Sequence, residues 1–131
     1  MATKGSEVAT VVALRGDRVL LVAEGIAGAL ALPGGKLERG ESARAAAARE
    51  LAEETGMVVP AGSLVALGEQ IQTPAGVTLT PFLLADPPPG RRPAELPCRW
   101  VALAELHRHP LAAGVARSVD AALAARARPD A

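Results

Sequence analysis

Val8 to Leu14 reads as one apolar run unbroken by charge, which predicts a strand buried on both faces. Arg15-Gly16-Asp17-Arg18 breaks the run, and Val19 to Ala23 resumes it. Two apolar runs around Gly-Asp predict a hairpin with its tip at Gly16-Asp17. The Arg-Gly-Asp triplet is therefore read as turn chemistry rather than as an adhesion signal. Glu24 to Gly28 is a loop of mostly small residues, Ala29 to Leu32 a short strand, and Pro33-Gly34-Gly35 a turn. Leu64 to Thr73 predicts a strand with mixed faces, Thr73-Pro74-Ala75-Gly76 a turn, and Val77 to Ala85 the returning strand. Pro81 within that strand calls for a bulge or an edge position.

Between these strands the pattern changes period. Ser42 is a good N-cap, and a helix is expected over Ala43 to Thr55 with Gly56 closing it. Ala45, Ala48, Leu51 and Ala52 form its expected apolar face. Asp86 to Pro97 is rich in proline, glycine and arginine, which predicts a surface loop of fixed shape. Arg99 to Leu103 is the last expected strand, and Ala104 to His107 starts a short helix that Pro110 interrupts. A C-terminal helix follows over Leu111 to Arg126, with Leu111, Val115, Val119, Ala122 and Leu123 facing inward. Ala127 to Ala131 are expected to fray, and there is no internal repeat. Strands alternating with two main helices suggest an α/β fold in which helices cover both sides of one sheet.

Bulk properties narrow the function. The chain has 131 residues, enough for one domain with a real core. Lys and Arg number 14 and Asp and Glu 14, so the formal charge is zero. That balance gives no ground for a nucleic-acid backbone as partner. No apolar run is long enough to span a bilayer, and Met1 to Glu7 is polar with no signal-peptide core. A cytoplasmic protein without membrane partners is expected. Cys98 is the single cysteine, which rules out an internal disulfide and fits a reducing compartment. It is expected to be a small buried residue in a strand.

The chemistry concentrates in the predicted helix. Glu50, Glu53 and Glu54 stand at i, i+3 and i+4, spacings that place three carboxylates on one helical face. Like charges so close repel, and a hard divalent cation is the natural counter-charge. Arg49 is expected beside the cluster rather than neutralising it through i,i+4 pairs. Gly34 and Gly35, just before the helix, let backbone approach a ligand closely.

Gly35, Glu41, Arg49, Glu50, Leu51, Glu53, Glu54, Gly56 and Met57 match every defined position of G-x5-E-x7-R-E-U-x-E-E-x-G-U, where U is aliphatic. This segment resembles the Nudix box, and Leu32-Pro33-Gly34-Gly35-Lys36 resembles its usual lead-in. The late Trp100-Val101-x-Leu103 segment extends the resemblance to nearly the whole chain, 1–131, as one domain. The resemblance implies an α/β/α sandwich with a mixed sheet between helices. It implies that Glu50 and Glu54 bind Mg²⁺ or Mn²⁺, with the Gly35 carbonyl as a further ligand. Glu53 contributes to that site or to water activation, Arg49 orients a glutamate, and Glu41 supports the loop. It also implies that a homodimer is a common assembly.

Outside the box, Glu95 is the candidate for an additional acidic residue, as metal ligand or base. Lys36 and Arg92 are candidates for substrate phosphates, Gly34 for close approach to the substrate, and Phe82 for stacking on a base. Arg91 shares the loop with Arg92, and an exposed position is the simpler reading for each arginine. His107 and His109 read as surface histidines at a helix end. Aromatic residues are few, and Leu30 stands where many Nudix proteins have tryptophan. The implied activity is metal-dependent hydrolysis of a phosphoanhydride in a nucleoside diphosphate linked to another group. A nucleoside or deoxynucleoside triphosphate giving monophosphate and pyrophosphate is the preferred substrate. ADP-ribose or another nucleotide sugar is the alternative, for which Pro74 downstream of the box speaks. A non-catalytic nucleotide sensor of the same fold is the alternative of another class.

Overall fold

The computed structural model describes residues 6–23 and 28–128. The expected loop at Glu24 to Gly28 and the frayed end at Ala127 to Ala131 lie mainly outside those residues. β1 (Glu7–Arg15) and β2 (Arg18–Ala23) form the expected hairpin, with Arg15 opposite Arg18 and Gly16 at φ 59°. That left-handed angle suits glycine at a tight tip. β3 (Leu30–Ala31) pairs with β2, and β4 (Gly34–Lys36) pairs with β1.

Gly34 and Gly35 were expected to turn the chain. They form a strand instead, antiparallel to Val8, Ala9 and Thr10. β7 (Thr78–Leu84) runs parallel along the other edge of β1, from Glu7↔Thr78 to Ala13↔Leu84. β2 and β4 therefore occupy successive parts of one edge of β1. The Pro33 carbonyl accepts from Val11 N–H at 2.9 Å where β1 parts from β2.

The expected single strand over Leu64 to Thr73 is broken into β5 (Val65–Ala66) and β6 (Ile71–Gln72), both antiparallel to β7. The break lies opposite Pro81, which has no N–H to donate. Pro81 thus sits mid-sheet, with the irregularity carried by the facing chain, where Gly68 takes φ 79°. The turn before β7 forms as expected, with Gly76 N–H on the Thr73 carbonyl at 2.9 Å. β8 (Cys98–Ala102) pairs antiparallel with β2 and completes a mixed eight-stranded sheet.

The two faces of the sheet carry separate cores. Ala9, Val11 and Ala13 of β1 pack with Ala46, Ala47 and Leu51 of α1 (Ala43–Thr55). Val12 and Leu14 pack with Val115, Val119 and Ala122 of α2 (Val115–Ala127). Strand alternation thus assigns odd positions of β1 to one helix and even ones to the other. The buried alanines of α1 are Ala46 and Ala47, whereas Ala45, Ala48 and Ala52 are half-buried. An alanine tract does not by itself mark one helical face, and the packing of Leu51 sets it. α2 begins at Val115, later than expected, because Gly114 takes φ 88° just before it. Leu111 bridges to Leu30 instead of entering the helix. His107 and His109 lie at the end of a 3-10 turn over Leu103–Arg108.

Candidate active site

Both ends of α1 form as the sequence predicts. The Ser42 hydroxyl accepts from Ala45 N–H at 3.1 Å, satisfying a donor that the helix leaves unpaired. Gly56 takes φ 79° and donates to the Ala52 carbonyl at 3.0 Å. With the helix fixed, Glu50 and Glu54 face β4. The Glu54 carboxylate accepts from Gly34 N–H at 3.1 Å, and Glu54 is 9% exposed. The Glu50 carboxylate lies against Gly35, where any Cβ would collide with it.

Glu53 is the most exposed of the expected trio. Its side chain is 43% exposed, against 17% for Glu50. The three carboxylates share an arc of about 100° on the helix, with Glu53 at its exposed edge and Glu54 at its buried edge. Arg49 departs from expectation. Its Nη1 donates to Glu50 at 3.0 Å and to Glu53 at 3.4 Å, the latter an i,i+4 pair. Its Nε and Nη2 donate to the two oxygens of Glu41 at 2.8 and 2.9 Å. Nη2 also donates to the Lys36 carbonyl at 3.1 Å. One guanidinium thus ties the loop before α1 to the acidic residues within it, in the forked geometry that arginine allows.

The charges respond accordingly. Hydrogen bonding from Arg49, then from the Glu38 N–H, holds the Glu41 carboxyl down at about 2, against an ordinary 4.5. Glu41 in turn holds the Arg49 guanidinium above its ordinary value, with Glu50 assisting. The hydrogen bonds of Arg49 hold Glu41, Glu50 and Glu53 around one guanidinium.

Among the described residues no three His, Cys, Asp and Glu side chains gather in a metal-holding group. Two carboxylates and the backbone of Gly35 are what the geometry offers a cation. Their donors are all hard oxygens, the type that suits Mg²⁺ or Mn²⁺. The close approach of Glu50 to a residue lacking Cβ makes a cradle that only glycine permits. These residues fit a divalent cation, with Glu50, Glu54 and the Gly35 carbonyl as the candidate ligands.

Residues 86–97 strap the C-terminal end of α1. Arg91 and Arg92 N–H donate to the Gly56 carbonyl at 2.7 and 3.2 Å. Glu95 N–H donates to the Glu53 carbonyl at 3.3 Å, and Leu96 N–H to that of Glu54 at 3.2 Å. Glu95 is thereby brought beside Glu53, with its side chain exposed. These backbone bonds dock the loop on α1, which its composition does not reveal. Backbone-to-backbone bonds leave little trace in residue type.

The remaining candidates divide. Lys36 and Arg92 are exposed. Gly34 has its N–H committed to Glu54, and the space a Cβ would take is filled by Ala9 and Thr10. Phe82 is 4% exposed in the α1-side core, with Arg44 over its ring at 5.4 Å. A ring so enclosed offers no face for base stacking, which removes the platform expected of it. Cys98 lies in a strand but is exposed rather than buried. Partial burial of its sulfur, then the charge of Glu54, pushes the thiol up, although the residue as a whole is exposed. The sulfur donates to the Leu96 carbonyl at 3.2 Å. On the opposite face of the sheet from α1, Val8, Thr10, Ala31, Gly34, Leu79 and Val115 help line a cavity of about 140 Å³. The sequence held no signal for it beyond small residues.

A family model described as the NUDIX domain matches residues 5–122. This chain belongs to that family. It is 44% identical over 88 residues to a Mycobacterium tuberculosis protein named "Putative 8-oxo-dGTP diphosphatase 2". That match spans 63% of this chain and 60% of the relative's length. Among solved structures, the Escherichia coli ORF135 protein has a TM-score of 0.72 at 27% identity, covering 96% of this chain and 94% of that one. A structure titled ADP compounds hydrolase has a TM-score of 0.66 at 27% identity, covering 92% and 70% respectively. These similarities establish the α/β fold with its mixed sheet among helices. No helix among the described residues is long and apolar enough to cross a membrane.

Proposed function

We propose that this chain is a pyrophosphohydrolase that cleaves a phosphoanhydride in a nucleotide with the help of a divalent cation. The observation that carries this reading is the contact of β4 with α1: Glu54 on Gly34 N–H, and Glu50 against Gly35. Glu50, Glu54 and the Gly35 carbonyl would hold the ion. When bound, Mg²⁺ or Mn²⁺ neutralises phosphate oxygens and makes a water acidic enough to react near neutral pH.

The protein's own residues then do the following. Arg49 fixes Glu41, Glu50 and Glu53 relative to one another. A carboxylate accepts the proton of the attacking water, and Glu53 and neighbouring Glu95 are the two candidates. Lys36 and Arg92 present exposed cations to substrate phosphates. Water attacks one phosphorus in line, the bridging oxygen leaves with the other phosphate, and two phosphate-bearing products separate.

A nucleoside or deoxynucleoside triphosphate, cut to monophosphate and pyrophosphate, is the preferred substrate. The name of the mycobacterial relative supports it. ADP-ribose or another nucleotide sugar is the second reading, favoured by Pro74 and by the ADP compounds hydrolase likeness. Incubation with a panel of these nucleotides and Mg²⁺, with products resolved by ion exchange, tests the proposal. Release of pyrophosphate from a triphosphate is expected. Absence of product from every nucleotide would favour a sensor of the same fold.

A further inference from the structure

Arg15 and Arg18 stand directly opposite each other at the end of the β1–β2 hairpin. Like charges so placed are destabilising, and the Gly16-Asp17 turn does not require them. Both arginines are engaged at Trp100 instead. The Arg15 guanidinium lies over the Trp100 ring, 4.2 Å from its centre, and Arg18 Nη1 donates to the Trp100 carbonyl at 3.5 Å. The face of an indole attracts a cation. From that seat Arg15 Nη2 donates to the Pro87 carbonyl at 3.2 Å, 72 residues along the chain.

Pro87 begins the strap over α1. β7 and β8 lie on opposite sides of the β1–β2 pair, so the chain between them must cross both strands. It crosses on the α1 side, which Arg15 faces by the same parity as Ala9, Val11 and Ala13. Pro87-Pro88-Pro89 is a stiff arm, because each ring fixes its own φ and drives the residue before it to extended backbone. Without an N–H among these three residues, the backbone of the arm can hydrogen-bond only through its carbonyls. At its far end Gly90 lies beside the carbonyls of Thr55 and Gly56. Beyond it, the N–H groups of Arg91, Arg92, Glu95 and Leu96 donate to the carbonyls of Gly56, Glu53 and Glu54, groups that the end of a helix leaves unpaired.

We propose that Arg15 is a positioning residue for the reaction: stacked on Trp100, it pins the proline arm at Pro87, and the arm seats the strap so that Glu95 stays beside Glu53. This rests on the hydrolase reading above. Arg15 acts only through the strap. A docked strap keeps the two candidate water-activating carboxylates in one place, and an undocked one carries Glu95 away, so the pin raises the fraction of molecules ready to react.

The test measures kcat and KM with Mg²⁺ on the nucleotide that wild type cleaves fastest, and hydrogen exchange of the strap amides, for wild type, Arg15→Ala and Arg15→Lys. Arg15→Ala is expected to lose about 3- to 10-fold in kcat with KM nearly unchanged, the size of one cation–ring contact and one hydrogen bond. The amides of Glu95 and Leu96 should exchange about 3- to 10-fold faster by the same reckoning, while those of the β1 core keep the wild-type rate. Arg15→Lys retains a cation and a donor and should recover most of both losses; Arg15→Met serves as a second cation-free variant should alanine not fold. Wild-type exchange at Glu95 and Leu96 in the cation-free variant overturns the proposal alone, as does faster exchange with kcat untouched or a loss carried by KM. No turnover by wild type on any nucleotide overturns the hydrolase reading and the proposal together.

Discussion

Glu41 and Glu54 are two carboxylates with different tasks, and each predicts a different outcome on substitution. Glu54 accepts from Gly34 N–H, and glutamine can still accept there while carrying no charge. Glu54→Gln is therefore expected to keep its helix and melting temperature but lose turnover by about 100-fold or more, as the loss of several kcal/mol of charge stabilisation implies. Circular dichroism and a pyrophosphate-release assay check both halves. Glu41 is held at about 2 by Arg49. A depressed folded value means the unfolded chain binds more protons, so the contribution of Glu41 to stability is complete above its ordinary 4.5 and is lost as pH falls toward 2. Glu41→Gln should flatten the acid limb of melting temperature against pH in that window. An unchanged slope would show that the Arg49 pairing does not contribute there.

α1 and β4 act as a unit, and glycine makes the unit possible. Gly35→Ala would drive a methyl into the Glu50 carboxylate. A Mg²⁺-dependent activity well below wild type is expected from it, with a smaller loss of stability, since a carboxylate can swing where backbone cannot. Gly56→Ala meets backbone: φ is 79°, and the Arg92 carbonyl fills the space. The left-handed angle alone costs about 1–2 kcal/mol, and the strap must also move. Denaturant unfolding should therefore show Gly56→Ala as the more destabilised of the pair. Much of this element was legible in sequence. Ser42 and Gly56 marked both ends of α1, and the spacing of Glu50, Glu53 and Glu54 set them on one helical face. The exposure of Glu53 and the pairs made by Arg49 were not, because charge spacing does not say which partner a long guanidinium selects. Nor did alanine repeats reveal which of them is buried.

Over the whole molecule, the sheet brings together segments far apart in sequence. β4 meets the acidic helix through both glycines, and Gly34 also lines the α2-side cavity. The hairpin and the enclosing helices followed from hydrophobic period, whereas the parallel pairing of β1 with β7 did not. The strand formed by Gly34 and Gly35 did not, since glycine reads locally as a turn and only the neighbouring β1 gives it a ladder. Phe82 and Cys98 were misplaced for a related reason: residue type suggests an environment, but register decides it. The strap at residues 86–97 and the cavity around Thr10 both depend on long-range closure.

Product analysis of a nucleotide panel, with and without Mg²⁺, for wild type and Glu54→Gln in parallel, tests most directly whether the β4–α1 contact is a phosphoanhydride-cleaving site. Pyrophosphate and a nucleoside monophosphate should appear from wild type only when Mg²⁺ is present, and Glu54→Gln should yield almost none. Equal product from the variant, or undiminished cleavage in chelator, would contradict it.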